Sequence, residues 1–126
     1  MPKSAIRIAV VDDDASVRKA LARVLTASSF DTATYGSARE FMDAGTAEPP
    51  QCLVLDLHMP ELSGLELQHQ LRRAGIKIPT IIVTAHNDPG LRERCQSAGA
   101  SAFLLKPLTR ASLVGAINTA IEEAVR

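Results

Sequence analysis

Five short strand-like runs, each followed by a stretch with helical spacing, constrain this chain more than any other feature. Four of them, residues 6–11, 52–57, 80–84 and 102–105, are nearly continuous in apolar and β-branched side chains. Continuous runs of that length predict strands covered on both faces, as in a parallel sheet, because a half-solvated strand would alternate instead. The fifth run, residues 31–35, reads Asp-Thr-Ala-Thr-Tyr and is less apolar, which suits an edge strand.

The intervening stretches carry helix signals. Val17, Ala20, Leu21, Val24 and Leu25 form an apolar stripe within residues 15–28, the spacing of an amphipathic helix. Ser37 to Glu40 matches a capping box that opens a short second helix. A third helix is predicted from about Gly64 to Ala74, ended by Gly75. Asp88 followed by Pro89 reads as an N-cap and first helical position, for a helix ending near Gly99. Thr109 is placed to cap a last helix with Leu113, Ile117, Ala120, Ile121 and Ala124 on one face. Strand and helix alternate five times, which calls for a doubly wound α/β fold in a single domain spanning residues 1–126.

Composition is compatible with such a core. The chain is 46% hydrophobic but only 3% aromatic, so the interior is built from Val, Ile, Leu and Ala. With 14 basic and 14 acidic residues the formal net charge is zero, which argues against direct nucleic-acid binding by this chain. Cys52 and Cys95 form no CxxC pair and no metal-ligand spacing, and read as buried free thiols. The start Met1-Pro-Lys-Ser4 does not read as a secretory leader, and no apolar run approaches the ~20 residues of a membrane span. A soluble, cytoplasmic protein is expected.

In a doubly wound sheet the functional site lies beyond the carboxyl ends of the strands. Asp12, Asp13 and Asp14 close the first run, Asp56 the third, Thr84 the fourth, and Lys106-Pro107 the fifth. Asp14 suits a helix N-cap better than a ligand role. A single Thr or Lys at a strand end carries no information, but this joint placement does. Clustered carboxylates repel one another unless a cation neutralises them. An oxygen-only donor set favours a hard ion, and Mg²⁺, held by one or two carboxylates with waters and phosphate oxygens, fits best. Lys106 and Thr84 then add a positive charge and a hydroxyl for a phosphoryl group, and a carboxylate in that setting can act as a nucleophile toward phosphorus.

These residues carry a resemblance. Val10-Val-Asp-Asp-Asp14, Leu53-Val-Leu-Asp-Leu-His-Met-Pro60 with Ser63-Gly64, Ile82-Val-Thr-Ala85 and Phe103-Leu-Leu-Lys-Pro107 together resemble the receiver domain of bacterial two-component response regulators, along essentially the whole chain. Tyr35-Gly-Ser-Ala-Arg-Glu-Phe41 resembles receivers of the nitrogen-fixation-regulator type. The resemblance implies a flavodoxin-like (βα)5 fold with strand order 2-1-3-4-5. It implies Asp56 as phospho-acceptor; Asp12, Asp13, Asp56 and the backbone carbonyl of His58 as Mg²⁺ ligands; Thr84 and Lys106 as catalytic contacts to the phosphoryl group; Thr84 and Phe103 as the switch pair; and a cis Lys106–Pro107 bond. It further implies a sensor histidine kinase or phosphotransfer protein as donor, with a homodimer or a DNA-binding output domain in a longer chain as recipients of the signal.

The switch would reshape the face made by the fourth helix, fifth strand and fifth helix, where Arg92, Glu93, Arg94 and Arg110 are placed to pair charges. The side chains of His58 and His86, each two residues beyond a site residue, are candidates for tuning the lifetime of the phosphoryl group. The chain reads as a switch that catalyses its own modification and not as a turnover enzyme. Two other readings stand beside it. One is a non-phosphorylated interaction module of the same fold. The other is an aspartate-nucleophile phosphatase, which would want an acid where His58 stands.

Overall fold

The computed structural model describes residues 6–44, 46–59 and 62–125. The Met1–Ser4 start, Gly45 in the polar connection before the third strand and Pro60 of the motif that begins at Leu53 lie outside them. Strands β1 (Arg7–Val11), β2 (Asp31–Tyr35), β3 (Cys52–Asp56), β4 (Thr80–Thr84) and β5 (Ala102–Leu105) alternate with helices α1 (Ala15–Ala27), α2 (Ala38–Ala44), α3 (Gly64–Arg73), α4 (Pro89–Ser97) and α5 (Arg110–Ala124). The strands form one parallel sheet in the order β2-β1-β3-β4-β5. The predicted fold class and strand order are those observed.

Sequence pattern explains which strands lie where. β3 and β4 are buried along their whole length, and β1 from Ile8 onward. β2 and β5 form the two edges and are only partly covered. The apolar run of β5 therefore does not mark a strand sealed on both faces: Leu105 is 42% exposed. One core layer packs α1 and α5, through Leu21, Leu25, Leu113 and Ile117, on Ile8, Val10, Val54, Ile81 and Val83. The other packs α2, α3 and α4, through Phe41, Leu67, Leu71 and Cys95, on Ala9, Val11, Leu53, Leu55 and Ile82. Alternation along each strand sends successive side chains to opposite layers. No helix among the described residues is long and apolar enough to cross a membrane.

Side-chain oxygens set the helix starts. Asp14 accepts the N–H groups of Ser16 and Val17 at 2.8 and 3.3 Å. Asp88 accepts that of Leu91 at 3.2 Å, with Pro89 at the helix start. The box expected at Ser37 is half formed. Ser37 Oγ accepts the Glu40 N–H at 3.1 Å, but the Glu40 carboxylate reaches one residue further back, to the Gly36 N–H, also at 3.1 Å. A complete reciprocal box occurs instead at Ser63 and Glu66, opening α3. Gly75 takes φ +74° just after α3, a conformation that costs Gly least. Cys52 and Cys95 are free and buried, and burial pushes the Cys52 thiol up to about 12.

Candidate functional site

From β1 the chain crosses to β2 on one side and then returns to β3 on the other. The carboxyl ends of β1 and β3 thus flank the point where the connections diverge, leaving a crevice between them. Asp12 and Asp56 stand at those two ends. Asp12 is 1% exposed and Asp56 6% exposed, whereas Asp13 is open to solvent. Carboxylate oxygens of the three lie within 4.8 Å of one another.

Backbone contacts fix these acids. The Asp12 N–H donates to the Tyr35 carbonyl at 3.1 Å, and Asp12 Oδ1 accepts the Asp14 N–H at 2.9 Å. The Asp56 carboxylate accepts the His58 N–H at 3.4 Å. From the carboxyl end of β5 Lys106 Nζ reaches to 3.3 Å from Asp12 Oδ2 and 3.8 Å from Asp56 Oδ1. Lys106 is positioned by its own N–H, which donates to the Thr84 carbonyl at 2.7 Å, and the peptide to Pro107 is cis. Thr84 is fully buried, and its Oγ1 accepts the His86 N–H at 3.1 Å.

Three carboxylates facing one ammonium leave the crevice with excess negative charge. Burial first, and then the neighbouring Asp12 charge, lift the Asp56 carboxyl from its ordinary 3.8 to about 6, against the opposing pull of Lys106 and the His58 N–H. An oxygen-only triad of this spacing fits a small hard divalent cation, whose charge would offset the excess.

The structure brings Asp12, Asp13, Asp56 and Lys106 together, with Thr84 on the strand beside them. Phe103 pairs in register with Ile82 within the same core layer, 7% exposed, and its ring lies under the Arg92 guanidinium at 5.6 Å. Arg92 therefore covers an aromatic ring. Arg110, expected on the α4–β5–α5 face, instead holds α5 to the end of α1 through Ser28 Oγ and the Ala27 carbonyl at 3.2 and 3.3 Å. The two helices share a sheet face, so a long side chain at the start of α5 reaches that neighbour first.

Three features escaped sequence reasoning. Arg18, one turn into α1, donates to the Asp12 carbonyl at 2.7 Å. The contact spans six residues to a carbonyl outside the helix, so no helical spacing rule announces it. Gly64 lies so close to β3 that a Cβ would sit 2.6 Å from the Asp56 carbonyl oxygen. The rings of His58 and His86 meet edge to face, with centroids 4.8 Å apart, and nothing in their sequence separation announces that contact.

Comparison with known proteins agrees with this geometry. The response regulator receiver domain profile matches residues 8–118. This chain belongs to that family. The receiver is 39% identical over 118 residues to the transcriptional regulatory protein TdiR of Thauera aromatica, covering 94% of this chain and 52% of that protein. It is 36% identical over 121 residues to the transcriptional regulatory protein FixJ of Azorhizobium caulinodans, covering 96% and 57%. The crystal structure of FixJ-N superposes with a TM-score of 0.87 at 36% identity, covering 95% of the receiver and 96% of that chain. The receiver spans about half the length of these curated relatives.

Proposed function

We propose that this receiver accepts a phosphoryl group on Asp56 and passes the event on as a change of surface. The observation that carries the reading is the Asp56 carboxylate, 6% exposed, with Lys106 Nζ 3.8 Å away and the oxygens of Asp12 and Asp13 gathered beside it. A carboxylate oxygen of Asp56 forms the new P–O bond as the P–N bond of a phosphohistidine on a sensor kinase or phosphotransfer protein breaks. Lys106 sits where it can exchange its carboxylate partners for an equatorial phosphoryl oxygen, and the Thr84 hydroxyl is the donor on the neighbouring strand. Mg²⁺ at Asp12, Asp13, Asp56 and the His58 carbonyl would supply charge neutralisation for the approaching anion.

The event is a single covalent modification reversed by hydrolysis, so the domain acts as a switch in the cytoplasm and not as a turnover enzyme. Thr84 and Phe103 form the relay. Because Phe103 is already packed inside under Arg92, phosphorylation shifts the population between two packed arrangements of α4, β5 and α5. The partly exposed Leu105 belongs to the face that such a shift presents to a second copy or to an output domain in a longer chain.

The decisive experiment is intact-mass measurement after incubation with acetyl phosphate and Mg²⁺. One added phosphoryl group on the wild type and none on Asp56→Asn is the expected result. Labelling that persists in Asp56→Asn rules out the assigned acceptor, and an unmodified wild type leaves a pure interaction module.

A further inference from the structure

Away from the acids, a hollow of about 540 Å³ opens where β4 and β5 begin, lined by Leu71 and Ile76 on and after α3, by Ile78 and Pro79 before β4, and by Ala98 and Ala120. Thr80, at its edge, precedes Thr84 by four strand positions, or about 13 Å. Neither the three acids nor Lys106 takes part in it. We propose that this hollow binds a small carboxylic acid with an apolar body that carries a hydroxyl or amide group away from its acid end.

Gln68 supplies the first reason. It lines the hollow, is 5% exposed, and its Oε1 is sealed from solvent without a hydrogen-bond partner among the described residues. Buried amide oxygens in folded proteins are nearly always paired, since leaving one unpaired forfeits its hydration without return. The terminal torsion of a Gln side chain is soft, so a small turn presents this oxygen to a donor in the hollow. The walls supply the second reason. They are mostly aliphatic, and the volume lies within the range of small-molecule sites, which combine apolar walls with a few placed polar groups. Charge supplies the third. Arg72 and Lys77 stand at the rim with Glu123 as the opposing acid, so the rim favours an anion. Arg72 also donates to the Ser97 carbonyl at 3.2 Å, tying α3 to the end of α4 beside the opening. Gly75 and Gly99, both at positive φ, complete the rim with open space where a Cβ would stand.

The probe is 4-hydroxybenzoate, with benzoate and phenol as analogues lacking the hydroxyl and the carboxylate, titrated into the ¹⁵N-labelled chain. Saturable shifts are expected at the Gly75, Gly99 and Ser101 amides and the Gln68 side chain, with each analogue binding about tenfold more weakly. Gln68→Leu should erase the preference over benzoate, and the surface change Lys77→Gln the preference over phenol. The proposal fails if those residues show no saturable shift, if the shifts appear at Asp13 and His58 instead, or if both preferences survive both substitutions.

Discussion

Asp56 must be ionised to act as a nucleophile, yet the fold buries it beside two other acids. Its folded pKa of about 6 lies above the ordinary 3.8. An acid of this kind holds more protons folded than unfolded. Its stabilising contribution is fully present below 3.8 and is lost as pH rises through about 6. At neutral pH, without a cation, the ionised carboxylate is therefore a liability that the proposed function requires. Asp56→Asn removes it. The variant should exceed the wild type in stability at neutral pH by up to about 3 kcal/mol, with the gap closing as pH falls toward 3.8. Urea unfolding in a chelating buffer across that range checks this; a gap that does not depend on pH would mean that the carboxyl charge is not its source.

Among the elements, α3 owes its close approach to β3 to a single residue. Its first residue, Gly64, donates its N–H to the Leu57 carbonyl at 3.1 Å, and an added Cβ would stand 2.6 Å from the Asp56 carbonyl oxygen and 3.1 Å from Leu57 Cα. Both contacts are backbone, which cannot swing aside as a side-chain tip can. Gly64→Ala should push the start of α3 away from β3, lowering stability by about 1–3 kcal/mol and slowing modification of Asp56. Gly115 within α5 is the control, because a Cβ there meets nothing within 4 Å. Gly115→Ala should raise stability by up to about 1 kcal/mol through helix propensity alone and leave the modification rate unchanged. Denaturant midpoints and rates for the two variants, measured side by side, separate a packing role for glycine from an incidental one.

For the molecule as a whole, an ion held in the acid crevice would couple its binding to folding. The three acids come from two chain segments far apart in sequence and meet only when β1 and β3 pair. An ion held by all of them binds the folded state and not the unfolded one. Mg²⁺ at about 100 times its Kd should raise stability by about 3 kcal/mol. Asp13→Asn, which removes the exposed member and disturbs little buried packing, should abolish most of that increase in a thermal-denaturation titration. An equal Mg²⁺ effect in the variant would place the ion elsewhere.

What the sequence determined by itself was the identity and order of the elements. The unbroken runs of β3 and β4, the caps at Asp14, Asp88 and Thr109 and the stop at Gly75 are each set by interactions within a few residues, and short-range rules read them directly. Strand-end positions also made Asp12, Asp13, Asp56, Thr84 and Lys106 candidates, because a parallel sheet sends all its carboxyl ends to one edge. Tertiary structure alone decided the contacts between elements. It placed Arg110 against α1, Arg92 over Phe103, His58 against His86, Arg18 on the Asp12 carbonyl, and Gln68, its Oε1 unpaired among the described residues, in the lining of a hollow. Those outcomes depend on the distances between packed layers and on which neighbour a long side chain reaches first. Such distances are a property of all the elements together, and no local window of residues contains them.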